Sequence, residues 1–331
     1  MRSDPTLYDW PLACPACRTS LGSLGPLSSA GDEARCPGCG LAYPCVSGIW
    51  RFLPPDRAAR FAPFLADYTR IRLAERRGSE DPAYYLHLPD CPADHPIAWQ
   101  WALRRRTFAA FTRRVLPRLG TGLRVVDLGA GVGWLSNRLA LLGHHPLAVD
   151  LTTDDRDGLG AARHYGPENR LAPVWPRVQA EFDRLPLADG AADLVLFNAS
   201  LHYSTDYAVT LGEALRVLAP GGTVVVLESP IYGQEESGER MVAERHADFE
   251  RRFGTRSDAL PSREYLTWAG IAEFGRRLGV RFRTVTPWYG WRWALRPWVA
   301  RVKGRREPSN FAILLAEKDR SGRPIAGRPS E

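Results

Sequence analysis

Between residues 124 and 231, short apolar runs alternate with amphipathic stretches in a regular order. RVVDLGAG (124–131), PLAVDL (146–151), RVQAEF (177–182), ADLVLFNAS (192–200) and TVVVLES (223–229) are brief and rich in β-branched residues, and read as strands. WLSNRLALLG (134–143) and EALRVLAP (213–220) carry the helical period between them. Strands that are apolar on both faces need covering on both sides, so the pattern predicts a parallel α/β sheet with helices on each face. Residues 55–118 read as helices ahead of this unit, and 228–254 begins at the end of a strand and becomes a charged helix.

The remaining chain divides into a cysteine-bearing N-terminal stretch and a tail, 319–331, expected to be disordered. At 331 residues the length fits one large domain plus a smaller module. No run approaches the roughly 18–20 apolar residues of a membrane span, and the first residues lack a basic segment followed by an apolar one. A cytoplasmic location is the expectation, and it favours metal binding over disulfides for the six cysteines.

Charge sharpens this division. The net charge is +7, and only Lys303 and Lys318 among the 44 cations are lysines. Residues 281–310 hold eight cations and one acid, residues 100–118 hold six cations and no acid, and residues 124–230 hold eight cations and thirteen acids. Two basic stripes around an acidic centre argue against a uniform nucleic-acid coat and suit a cationic ligand at the centre.

Cys14-Pro-Ala-Cys17 and Cys36-Pro-Gly-Cys39 are two CxxC pairs whose separation falls in the range of a tetrahedral Zn2+ site. Cys45 and Cys91 lie outside the pattern and read as ordinary thiols. Residues 12–53 resemble a Trm112-like zinc ribbon, keeping Leu12, Leu21, Gly40, Tyr43-Pro44, Gly48-Ile49 and Leu53-Pro54. The resemblance implies a structural, closed metal site with Cys14, Cys17, Cys36 and Cys39 as ligands, and a surface for a protein partner.

The glycine turn Gly129-Ala130-Gly131-Val132-Gly133 joins the first strand to its helix, and Asp150 ends the next strand. A dinucleotide fold would want a small residue at 134, where Trp134 stands. Asp127 just before the turn would repel a phosphate and attract an ammonium. Both features favour S-adenosylmethionine (SAM).

Val126-Asp127-Leu128-Gly129-Ala130-Gly131-Val132-Gly133 and Leu218-Ala219-Pro220-Gly221-Gly222 resemble motifs of class I SAM-dependent methyltransferases of the type 11-like group. The resemblance implies a Rossmann-like seven-stranded sheet, with residues 281–288 and 311–318 as its closing hairpin. It implies that Asp127, Gly129, Ala130, Gly131 and Gly133 hold the methionine end, and that Asp150 with Leu151 takes the ribose. Glu181 and Phe182 fall to the adenine, and Asn198 lies at the end of the fourth strand beside the cofactor. His202, Tyr203 and Asn198 are candidate catalytic residues and Glu228 a further pocket candidate; a packing role is the competing reading of His202.

Asn198-Ala199-Ser200-Leu201 lacks the prolines of amino-directed nucleic-acid methyltransferases, and no Pro-Cys pair follows the fourth strand. These absences favour O-, N- or C-methylation of a small-molecule or lipid-like acceptor. Two alternatives stay open. One is an rRNA or tRNA methyltransferase, although Cys39 stands where guanine-N1 rRNA methyltransferases typically carry histidine. The other is a non-catalytic SAM-binding scaffold.

The expected organisation is a ribbon at 1–54, a helical linker or lid at 55–118, and a methyltransferase domain at 119–318 containing a Trp/Arg-rich insertion at 289–309. Within 288–306, four tryptophans and six cations form a basic aromatic segment suited to an anionic membrane surface, RNA bases or an acidic substrate. The competing reading is a solvated arginine face whose tryptophans pack on the sheet.

Overall fold

The computed structural model describes residues 9–24, 32–165 and 175–318, so the expected tail at 319–331 lies outside the described residues. Five short strands come first: β1 (Trp10–Ala13), β2 (Ser20–Leu24), β3 (Glu33–Arg35), β4 (Ala42–Val46) and β5 (Ile49–Arg51). Helices α1 (Pro55–Ala74), α2 (Pro82–His87), α3 (Ala98–Arg114) and α4 (Leu116–Leu119) follow. The alternating part comprises β6 (Arg124–Leu128), α5 (Trp134–Leu141), β7 (His145–Asp150), β8 (Arg177–Gln179), β9 (Ala192–Asn198), α6 (Tyr207–Val217) and β10 (Leu218–Leu227). Beyond it lie β11 (Ile231–Tyr232), α7 (Glu235–Phe253), β12 (Leu266–Thr267), α8 (Trp268–Leu278), β13 (Arg283–Val285), α9 (Trp291–Ala294), α10 (Arg296–Val302) and β14 (Ile313–Glu317).

The main sheet runs β13-β14-β10-β9-β6-β7-β8-β5-β4-β3. Strands β10, β9, β6, β7 and β8 are parallel, while β14 joins β10 and β13 joins β14 antiparallel. The seven strands expected of the class are all present, and the apolar runs are buried as expected. Alternate residues serve opposite faces: Val126, Leu128, Val195 and Phe197 enter one core, and Val125, Leu194 and Leu196 the other.

The sheet is three strands longer than the sequence pattern implied, because the ribbon continues it. β5 lies parallel to β8, with Ile49 opposite Arg177, Trp50 opposite Val178 and Arg51 opposite Gln179. Trp10, Leu12, Tyr43, Trp50 and Phe52 share one core with Val126, Leu128 and Val178. Arg18 forks onto Glu213 of α6 through two bonds of 2.9 and 3.1 Å, and the backbone N–H groups of Ala13 and Ala188 donate to Pro186 O and Pro11 O. The ribbon is thus packed against the chain's own α/β unit as a continuation of its sheet.

Candidate functional site

The four cysteine sulfurs predicted as ligands come together within 4.8 Å of one another. Cys14 Sγ lies 3.6 Å from Cys39 Sγ, and Cys17 Sγ lies 3.5 Å from Cys36 Sγ. A tetrahedron with metal–sulfur bonds of about 2.3 Å has edges of about 3.8 Å, so the donor set fits a zinc ion. Tyr43 Oη, 3.1 Å from Cys14 Sγ, closes the buried side.

A cavity of about 290 Å³ opens at the C-terminal ends of β6, β7 and β9, where strand order reverses and open α/β sheets bind ligands. Gly129, Ala130 and Gly131 form its floor, and Asp150, Leu151, Glu181, Phe182, Asn198, His202 and Tyr203 line it. Asp127 and Gly133 are not on its surface. Gly133 caps α5 in the left-handed conformation, and a Cβ there would sit 2.5 Å from the Trp175 ring. Asp127 is wholly buried beneath the turn. Its Oδ2 accepts from Ser136 Oγ at 2.7 Å, and its Oδ1 has no partner among the described residues. Burial raises its carboxyl to about 7, against the opposing Ser136 bond.

Asp150 is fixed by two backbone donors, Gly131 N to Oδ2 and Thr152 N to Oδ1, each at 2.8 Å. Both oxygens keep lone pairs for further donors. Glu181 is more committed than the sequence suggested: Arg57 of α1 forks onto both its oxygens, through Nε at 2.7 Å and through Nη2. Phe182 stands edge-on to Phe197 at 5.7 Å.

His202 lies in the cavity wall with Nδ1 unpartnered. Burial, reinforced by Arg245 and Arg104, pulls its imidazole down to about 3, so the ring is neutral. Tyr203 packs against Phe64 at 6.0 Å and Tyr68 at 6.2 Å. Glu228 is not on the cavity surface. It sits behind it, 3.5 Å from Arg104, and burial raises its carboxyl to about 7. Ala199 and Glu228, which follow β9 and β10, both have left-handed backbone (φ 53 and 56). Such strain in non-glycine residues gathers at functional sites.

The opposite wall comes from α1–α3, within the stretch expected as a linker or lid, and includes Tyr84, Trp101 and Arg104; the α1 residues that line it were not singled out in the sequence. Arg57, Phe61, Phe64, Tyr68 and Arg72 recur at spacings of three and four, so α1 turns one face inward. That periodicity was the available signal; what the face met was not. Arg72 pairs with Asp157 and lies over the Tyr68 ring, 4.8 Å away. Trp134 lines the cavity and is also buried, edge-on to Trp101 at 5.8 Å. Two further arginines face the cavity with donors to spare. Arg77 uses Nε on Glu75 at 2.6 Å, and its Nη groups carry no hydrogen bond among the described residues. Arg104 has Glu228 as its only charged partner among those residues and lies over the Trp101 ring at 4.6 Å.

This sheet order, glycine turn and strand-end acid are similar to those of class I SAM-dependent methyltransferase domains. Residues 126–226 match the family model described as a methyltransferase domain. The chain is 32% identical over 108 residues to a malonyl-[acyl-carrier protein] O-methyltransferase of Erwinia pyrifoliae, covering 33% of this chain and 38% of that protein. It is 35% identical over 102 residues to a dimethylglycine N-methyltransferase of Parasynechococcus marenigrum, covering 30% and 35%. A solved SAM-dependent methyltransferase from Mesorhizobium loti aligns with a TM-score of 0.45 at 24% identity, over 64% of this chain and 97% of that one. The chain spans less than half the length of the two curated relatives. No helix among the described residues is long and apolar enough to cross a membrane.

Proposed function

We propose that the cavity binds SAM and that the protein transfers its methyl group to a small acceptor carrying an anionic group, with a zinc ion holding the ribbon. The observation that carries this reading is the division of one cavity between two chemistries: a glycine turn with Asp150 on one wall, and two under-used arginine forks on the other. SAM supplies a sulfonium-activated methyl for displacement by a nucleophile, so the protein's main task is to align the partners and exclude water.

In this reading Asp150, preset by its two backbone donors, takes the ribose hydroxyls. Gly129–Gly131 bring backbone to the methionine end without side chains in the way. Asp127 supplies buried negative charge beneath that turn, and its unpartnered Oδ1 fits a cationic donor or a water leading to one. Glu181, steadied by Arg57, and Phe182 meet the adenine. Phe64, Tyr68 and Tyr203 keep water out. Arg77 and Arg104 grip the acceptor's anion, and His202, neutral with Nδ1 unpartnered, faces the acceptor beside Asn198 as a hydrogen-bond acceptor. The two curated relatives are named for a malonyl group and for dimethylglycine, both of which bear a carboxylate, and this supports an anionic acceptor. The four thiolates fit a cytoplasmic, reducing setting.

Two outcomes test these assignments. A carboxyl raised to about 7 is protonated below that value, and a cationic ligand prefers the ionised form. SAM affinity measured by calorimetry is therefore expected to rise as pH climbs to about 7 and to level off above it, with Asp127→Asn abolishing the slope. A slope unchanged in Asp127→Asn would remove Asp127 from this role. Replacing Arg77 and Arg104 with glutamine is expected to raise the acceptor KM by about 10- to 100-fold for each charged hydrogen bond lost. SAM affinity should stay as it was; a parallel loss of SAM affinity would place the arginines at the cofactor instead.

A further inference from the structure

The basic aromatic segment between β13 and β14 has two faces with opposite fates. Its inner face is moored to the body. Tyr289 is buried; its Oη lies 2.8 Å from Thr107 Oγ1 and donates to Phe311 O at 3.0 Å. Trp293 packs on Tyr289 and Phe311, and Arg296 lies 3.7 Å above the Trp293 ring. Arg106 and Arg114 of α3 donate to the backbone oxygens of Tyr289 and Thr286.

The outer face packs on none of the described residues. Trp291, Leu295, Trp298, Val299 and Val302 fall at helical spacing along α9 and α10 and form one stripe, extended by Trp288, whose ring meets Trp291 at 5.0 Å. Trp291 is 76% exposed, Trp298 67% and Val302 67%. Six of the thirteen large apolar side chains exposed among the described residues therefore fall within fifteen consecutive positions. Scattered exposed apolar residues need no explanation, but a contiguous moored stripe marks an interaction surface.

Charge identifies the occupant. Arg292, Arg301, Lys303 and Arg305 are exposed around the stripe and form no ion pair with any described residue, and residues 288–306 contain no acid. The moorings to α3 bring the second basic stretch alongside, with Arg113 and Arg114 exposed. We propose that this face is an interfacial anchor that seats the protein on an anionic lipid surface. Apolar side chains enter the headgroup boundary while cations meet the lipid charge. RNA would use the tryptophans for stacking but gains little from Leu295, Val299 and Val302. A second copy of this chain would set like charges against one another. The inference is independent of the acceptor's identity.

Flotation of the full-length, metal-loaded protein with vesicles tests it. Vesicles of equal parts phosphatidylcholine and phosphatidylglycerol are expected to carry the protein, phosphatidylcholine alone much less, and salt should weaken the binding. Arg301→Gln with Arg305→Gln should lower partitioning by about 25-fold, from about fivefold per cation. Trp291→Ser with Trp298→Ser should abolish it while thermal midpoint and SAM affinity stay unchanged, since both rings are exposed. Absence of flotation, equal binding to both vesicles, or retention by the tryptophan variant would overturn the proposal. So would single-stranded RNA binding, or dimerisation in sedimentation velocity, that the tryptophan variant removes while flotation persists.

Discussion

Replacing Cys14 with serine is expected to destabilise the whole protein and not only its first fifty residues. Cys14 and Cys36 are buried in the same core as the strands of the main sheet, and β5 supplies the parallel neighbour of β8. A structural zinc site contributes roughly 10–16 kcal/mol of apparent binding free energy, against a total stability of about 5–15 kcal/mol for a typical domain. Losing one of four thiolates forfeits a large part of the first figure. Elemental analysis should find zinc absent from the variant, and calorimetry should find the main transition lowered by about 10 °C or more. Chelation of the wild-type protein should give the same result, whereas Cys91→Ser, outside the cluster, should retain both metal and midpoint. A metal-free protein with an unchanged midpoint would separate the ribbon from the fold.

Asp150→Ala is expected to weaken SAM binding by at least about 100-fold. The carboxylate lines the cavity and is held by Gly131 N and Thr152 N, and each hydrogen bond to a charged group is worth about 1.5–3 kcal/mol. Two ribose hydroxyls would be lost together, and the loop carrying Gly131 would lose its anchor. Asp150→Asn, which keeps one acceptor, should fall between wild type and alanine. Calorimetric titration measures the effect, and an affinity within about twofold of wild type would mean that the cavity holds its ligand in another way.

The parts of this molecule that could be read from sequence are those in which local pattern and physical need coincide. Buried parallel strands must be apolar throughout, so 124–128, 192–198 and 223–227 announce themselves. Two CxxC pairs identify a metal cluster because little else needs four thiols so spaced. The pairing of Ile49–Arg51 with Arg177–Gln179 was hidden, since a parallel register across more than a hundred residues leaves no periodic trace. The inward face of α1 was visible as a period, but its targets, Glu181 and Asp157, could come only from three dimensions. Arg77 looked like one more member of an arginine-rich composition, and Arg104 like part of a basic helix that could cover the pocket; their spare donors set them apart. The same holds for charge. Of the two basic stretches, the sequence could locate each, and the fold laid them side by side.

Transfer of labelled methyl groups decides whether the protein passes the methyl of SAM to a small anionic acceptor. The purified, zinc-loaded protein would be incubated with methyl-labelled SAM and, separately, with an acidic metabolite and lipid fraction and with total RNA from the host. Label is expected in the acidic small-molecule or lipid fraction, sharply reduced by Arg77→Gln with Arg104→Gln. Label in RNA, or tight SAM binding with no label transferred to either fraction, would contradict it.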